Sequence, residues 1–130
     1  MEARDAAVGL ARGRIAIGLT ALVAPKLASR AMFGRRGATA GTVAFARMLG
    51  GRDVALGLGV VIALDRGAPV RGWLEAGALA DGADFASALL ARRRIPRATV
   101  VNVSLMAAAA ALAGIALSRR LDSPQPASSS

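Results

Sequence analysis

The residues of this sequence that could do chemistry are acids and arginines set within otherwise apolar segments. The candidate charge cluster consists of Arg47, Arg52, Asp53, Asp81 and Asp84. Ionisable groups inside a membrane span are expensive to bury, so they face a charged partner or a water-filled cavity. The cluster therefore predicts one of two things. It is either an ion-pair network that fixes helix register or a polar cavity for an anion, a lipid headgroup or a proton-linked substrate.

Several residue types that common reactions require are missing. The chain contains no Cys, no His and no Tyr. These absences exclude the usual zinc sites, a Ser–His or Cys–His nucleophile pair, and haem ligation by His, Cys or Tyr. We therefore predict no catalytic residues, no metal and no cofactor, and we expect that the protein is not an enzyme.

Helical geometry predicts how the clustered charges pair. The turn between the second and third predicted helices centres near residues 67–68, which brings Arg52 level with Asp84 and Arg47 about one turn away. Small residues lie beside these charges and predict close packing of the same two helices. This predicted packing set consists of Gly51, Ala55, Gly59 and Ala63 on one helix and Gly77 and Ala88 on the other.

The composition indicates the elements that must position these charges. Of 130 residues, 55% are apolar, the mean hydropathy is +0.49, and the aromatic residues are three Phe and one Trp. Small apolar side chains suit helices that pack closely in lipid. We predict an all-α fold, a four-transmembrane-helix bundle over residues 1–122 with a disordered tail at 123–130. The helices are expected at about 10–33, kinked at Pro25, and at about 39–64, 70–91 and 98–117.

The formal net charge of +9 has two interpretations. Nucleic-acid binding is one, but the arginines lie between apolar runs and form no stripe with aromatic residues, so no nucleic acid is expected as a partner. The other is contact with lipid headgroups, which we favour. Lys and Arg flank the four predicted spans equally on both sides, so charge predicts no orientation. A signal peptide at the N-terminus and a soluble Ala-rich bundle are the competing readings of the apolar segments.

One stretch of sequence carries a family resemblance. Residues 46–59 hold the spaced set Arg47, Gly50, Arg52, Asp53 and Gly57. They are preceded by an apolar segment ending in Ala-Pro and followed by the motifs Arg-Gly-Trp (71–73) and Ala-Asp-Gly-Ala-Asp (80–84). The order of these features resembles uncharacterised small four-helix membrane proteins of actinobacteria and similar GC-rich bacteria, which lie near the DoxX-like membrane proteins. The resemblance implies a membrane location and a fold, and it implies no activity.

We therefore expect a multi-pass protein of the bacterial inner membrane, non-catalytic and with an accessory or structural role. A small transporter or ligand-binding protein that uses the charge cluster is the alternative. A membrane enzyme subunit is a third reading, disfavoured by the missing residue types. The lipid bilayer is the expected partner, and the small-residue faces leave open a homo-oligomer or a partner in a membrane complex. A dry, fully paired cluster would favour the structural role, and a cavity lined by the cluster would favour transport.

Overall fold

The computed structural model describes residues 2–121, and these form helices joined by short turns without any strand. The all-α prediction is therefore confirmed. Within the described residues there are five helices where four were expected. They are α1 (Glu2–Val23), α2 (Pro25–Phe33), α3 (Ala40–Asp65), α4 (Arg71–Ala91) and α5 (Arg97–Leu121). The tail predicted to be disordered, residues 123–130, lies outside the described residues.

The first predicted helix differs from the structure at its start and in its middle. Helix α1 already begins at Glu2 and not near residue 10, because the first residues are rich in alanine and their two acids lie in the first turn, where the helix dipole favours negative charge. The helix then stops before Pro25, which lacks a backbone N–H and disfavours helical geometry at the preceding residue. A break into α1 and α2 thus replaces the expected kink.

Local signals explain the ends of α3. Thr39 caps its N-terminus in a capping box with Thr42, whose hydroxyl also accepts from the Thr39 amide. At the other end the Ala68 amide donates to the Ala63 carbonyl across Gly67, which has a positive φ of 62°. Glycine is the residue that reaches this left-handed conformation without steric cost. The predicted span at 39–64 agrees closely with this helix.

Helices α1 and α3 pack side by side and antiparallel along a seam of small residues. The buried and nearly buried positions of both helices alternate between steps of four and three residues, the spacing of helices that wrap closely around each other. In α1 the seam consists of Ala7, Ala11, Arg14, Gly18 and Ala21, and in α3 of Ala46, Gly50, Asp53, Gly57 and Val60. One charged residue therefore lies near the centre of each side.

Glycines let the two backbones of this seam approach each other. A Cβ added at Gly50 would lie 2.6 Å from the Gly18 carbonyl oxygen, and one added at Gly57 would lie 2.7 Å from the Ala11 carbonyl oxygen. Both distances are shorter than van der Waals contact. The close packing predicted for α3 thus exists, but its partner is α1.

Helices α4 and α5 form the second antiparallel pair. A Cβ added at Gly114 would lie 3.1 Å from the Leu74 carbonyl oxygen and 3.3 Å from the Ala78 Cβ. Helix α2 packs on α3 and also touches α5. The Ser29 hydroxyl donates to the Thr42 carbonyl at 2.9 Å, and the Thr99 hydroxyl donates to the Met32 carbonyl.

The predicted backbone packing of α3 against α4 is wrong, because these consecutive helices make few contacts and belong to different pairs. Gly51 and Ala55, expected at that interface, are exposed. The other predicted packing residues are buried, and one of them, Gly59, does lie against α4 as predicted. Gly59 lies under the Trp73 ring of α4, and Ala63 lies in a core shared with α1, α4 and α5. Gly77 lies against Arg14 of α1, and Ala88 is buried on α4.

Large apolar side chains lie mainly on the outside of the molecule. Those more than one-third exposed include Leu19 and Val23 on α1, Leu58 and Ile62 on α3, Leu79 and Leu90 on α4, and Leu105 and Leu112 on α5. The buried set is mostly alanine and glycine. Among the described helices two, α1 and α5, are long and apolar enough to cross a membrane, whereas in α3 and α4 every stretch of 18 residues holds more than two charged residues. By this measure two spans, not the predicted four, are candidates.

Candidate functional site

Arg52 of α3 and Asp84 of α4 form the ion pair predicted from the hairpin geometry. The guanidinium donates through Nη1 to Oδ1 at 3.0 Å and through Nη2 to Oδ2 at 2.8 Å. Such a two-point contact matches the planar donor fork of Arg to a carboxylate and is among the stronger polar contacts in proteins. It connects the two helix pairs through side chains although their backbones stand apart.

Asp53 lies beside this pair and collects donors from two helices. Its Oδ1 accepts from Arg52 Nε at 3.3 Å and Nη2 at 3.1 Å, and from Arg14 Nη1 of α1 at 3.3 Å. The carboxylate therefore bridges the two guanidinium groups. Its position on the α1–α3 seam, opposite Arg14, explains how it reaches both.

Arg14 is the member of the network that sequence reasoning missed. It donates through Nη1 to Asp53 and through Nη2 to Asp81 of α4. Asp81 is the most buried acid of the cluster, with 5% of its surface exposed. Gly77 gives the guanidinium room, since a Cβ there would lie 3.2 Å from Arg14 Nη2. One base from α1 thus holds acids from both α3 and α4.

A sequence signal for Arg14 existed. Arg14 follows Ala11 by three residues and precedes Gly18 by four, so it shares their small-residue face on α1. An arginine on such a face requires an acidic partner inside the fold. The charged residues before it in the sequence placed it instead among the bases that flank the first predicted span.

Arg47 does not join the cluster, contrary to the prediction. Its side chain is exposed, and it makes no ion pair within residues 2–121. Five residues separate it from Arg52, which places the two side chains about 140° apart around a helix of 3.6 residues per turn. A residue directed so far from the neighbouring helices cannot reach the acids of α4.

The charge network as observed consists of Arg14, Arg52, Asp53, Asp81 and Asp84. Its members lie near the middles of α1, α3 and α4, and their side chains are between 7% and 30% exposed. Helix α5 adds no ionisable residue between its terminal arginines, Arg97 and Arg119. With every acid ionised, three carboxylates face two guanidinium groups, and the network carries one negative charge.

The network leaves little room for a ligand. The cavity beside Arg14, between α1, α3, α4 and α5, has a volume of about 10 Å³, close to the space one water needs. A larger open groove of about 360 Å³ lies between α3 and α4 near their connecting turn, and its lining includes Trp73 and Arg66 but no member of the network. In the described residues no group of three or more acids is arranged to hold a metal ion.

Comparisons with known proteins add no identification, since the chain matches no protein-family model, no curated protein and no solved structure. The resemblance to the small actinobacterial membrane proteins accordingly stays a prediction.

Proposed function

We propose that this chain is a four-span protein of the bacterial inner membrane with a non-catalytic, accessory or structural role. The main support is the distribution of side chains, which is the reverse of that in a soluble protein. Large apolar side chains are exposed on all four long helices, and charged side chains are paired inside. Soluble monomers rarely expose so much apolar surface, whereas lipid-facing helices require it. The resemblance to small four-helix membrane proteins belongs to the same proposal.

The register of the α1–α3 seam supports the proposal that α3 spans the membrane. Arg4 Nη2 donates to the Leu64 carbonyl, and Gly18 lies against Gly50. The two residue numbers of each pair sum to 68, so the antiparallel helices keep the same register at both places. The helices therefore run level over fourteen residues, or about 21 Å at 1.5 Å per residue. If α1 crosses the bilayer, α3 at the same depth crosses with it. Helix α4 packs on the other candidate span, α5, and the same reasoning applies.

The charges that set α3 and α4 apart from ordinary spans also fit this proposal. Arg52, Asp53, Asp81 and Asp84 are all bound within the network. Charged groups inside membrane proteins are tolerated where they pair with one another and face the bundle interior. Because the positive and negative charges of the network nearly balance, most of the free-energy cost of inserting α3 and α4 into the bilayer is removed.

The small volume beside the charges favours a structural role over transport. A transported ion or metabolite would need a cavity lined by the charged residues, and the space beside Arg14 is about 10 Å³. The network instead connects the α1–α3 pair to the α4–α5 pair. The exposed Gly51 and Ala55 leave a small-residue surface on α3 at which a second copy or another membrane protein could approach closely.

Single-cysteine labelling tests the number of spans, because the chain has no cysteine of its own. Cysteines replace Arg35 in the α2–α3 turn, Ala68 in the α3–α4 turn and Arg93 in the α4–α5 turn, one at a time. Intact cells are treated with a membrane-impermeant maleimide before and after permeabilisation. We expect positions 35 and 93 to be labelled under the same condition, either before permeabilisation or only after it. Position 68 should be labelled under the other condition.

The other outcomes identify the competing topologies. If only α1 and α5 span, all three positions lie on one side and label alike. If the chain is soluble, none of them labels before lysis, and the protein fractionates without the membrane. Either result would overturn the four-span proposal.

A further inference from the structure

The charge count of the network points to a bound proton. Three carboxylates face two guanidinium groups near the centres of helices that, on the proposed function, lie in the bilayer. An uncompensated charge at this depth is expensive. We propose that the network binds one proton at neutral pH and that Asp81 carries it, which makes Asp81 a proton-binding site inside the membrane.

The distribution of donors selects Asp81 among the three acids. Asp53 accepts three hydrogen bonds from Arg14 and Arg52, and Asp84 accepts two from Arg52. Asp81 accepts one, from Arg14, and its side chain is the least exposed of the three, at 7% against 17% and 30%. The acid with the fewest donors and the deepest burial is the least able to hold a negative charge.

No other charged group reaches Asp81 from the helices around it. Helix α1 presents Arg14, α3 presents Arg52 and Asp53, and α4 presents Asp84 less than one turn away. Helix α5, the partner of α4, has no ionisable residue between its terminal arginines. The exposed Arg47 makes no ion pair within the described chain. The third carboxylate of the network therefore has no positively charged side chain to balance it.

Protonation of Asp81 makes the network neutral. Arg14 then balances Asp53, and Arg52 balances Asp84, with both contacts already present. The neutral carboxyl group still accepts the Arg14 hydrogen bond through one oxygen and presents its O–H on the other. Release of this proton would return a net negative charge to the place where the two helix pairs meet.

Infrared spectroscopy of the purified protein in nanodiscs of ether-linked lipids, which contain no ester carbonyl group, tests the proposal directly. A protonated carboxyl group has a carbonyl stretching band that ionised carboxylates lack, and this band shifts when water is exchanged for D₂O. We expect one such group per chain in the wild-type protein at neutral pH. No band in the folded wild-type protein would overturn the proposal, and so would dependence of folding on a bound monovalent cation in place of the proton.

One matched pair of variants identifies the residue that carries the proton, and a second pair counts the protonated carboxyl groups. Asp81→Glu should shift the band, whereas Asp84→Glu should leave it in place; the reverse pattern would overturn the assignment. Arg14→Gln removes one positive charge and should double the band area, while Arg12→Gln, at an exposed position on the same helix, should leave it unchanged. An unchanged area in folded Arg14→Gln would contradict the charge-balance argument.

This test is separable from the test of the membrane location. A four-span labelling pattern without a protonated carboxyl band would overturn the proton site and leave the proposed function intact. A soluble chain would overturn the membrane location whatever the spectrum shows.

Discussion

Arg52 on α3 contacts both carboxylate oxygens of Asp84 on α4, at 3.0 and 2.8 Å, although the backbones of these two helices make few contacts. The long arginine side chain spans the gap between the two helices, which do not pack closely against each other. A side-chain network thus connects two independently packed helix pairs. This arrangement makes the stability of the fold sensitive to single charges.

Exchange of the two charges tests the Arg52–Asp84 pair. Arg52→Glu places four acids around Arg14, and we expect loss of insertion or destabilisation by about 3–5 kcal/mol, typical of a broken buried pair. The double variant Arg52→Glu/Asp84→Arg should regain part of this, though not all, because Arg52 also contacts Asp53. Unfolding in mixed detergent measures both variants. Equal damage in the single and double variants would rule out the direct pairing.

Removal of Arg14 tests the part of the network that sequence reasoning missed. Arg14→Ala leaves Asp53 and Asp81 with fewer donors, and we expect a loss of at least about 3 kcal/mol in unfolding free energy. Arg12→Ala is the matched control, since that side chain is exposed two residues away and should change stability by less than about 0.5 kcal/mol. Similar losses in both variants would show that α1 tolerates no change here for reasons unrelated to the network.

Neighbouring glycines on α3 test the seam with α1. Gly50→Ala introduces a Cβ 2.6 Å from the Gly18 carbonyl oxygen, and overpacking of this kind costs about 1–3 kcal/mol. Gly51→Ala meets no atom within 4 Å and should be neutral or stabilising by up to about 1 kcal/mol, since alanine is the better helix former. Thermal unfolding in detergent compares the two. Greater damage at position 51 would place the helix interface on the other face.

An engineered disulfide tests the pairing of α4 with α5. The Ala78 Cβ lies 3.3 Å from a Cβ built at Gly114, close to the separation in disulfides, so Ala78→Cys/Gly114→Cys should cross-link under mild oxidation. Leu79→Cys/Gly114→Cys is the control, because Leu79 is exposed on another face of α4 and should not cross-link. A protease site inserted in the α4–α5 turn makes the cross-link visible on a gel. Cross-linking of the control alone would contradict the observed register.

Sequence reasoning succeeded where the information was local. The ends of α3 follow from Thr39 and Gly67, and the level of Arg52 with Asp84 follows from counting residues across a short turn. The same counting failed for Arg47, because depth along a helix does not fix the direction of a side chain around it. Both results come from helical geometry, which constrains one helix and its immediate hairpin.

The sequence by itself determined that this chain is helical, rich in small apolar residues and charged within two of its long helices, α3 and α4, because these are properties of composition and periodicity. Only the tertiary structure decided which helices pair. A four-residue stripe on α3, Gly51 to Ala63, predicted close backbone packing against α4, whereas the closely packed seam lies against α1 and alternates steps of four and three residues through Gly50 and Gly57. Small-residue faces permit close approach to any complementary helix. The choice of α1, and with it the entry of Arg14 into the network, depends on how all the helices fit together.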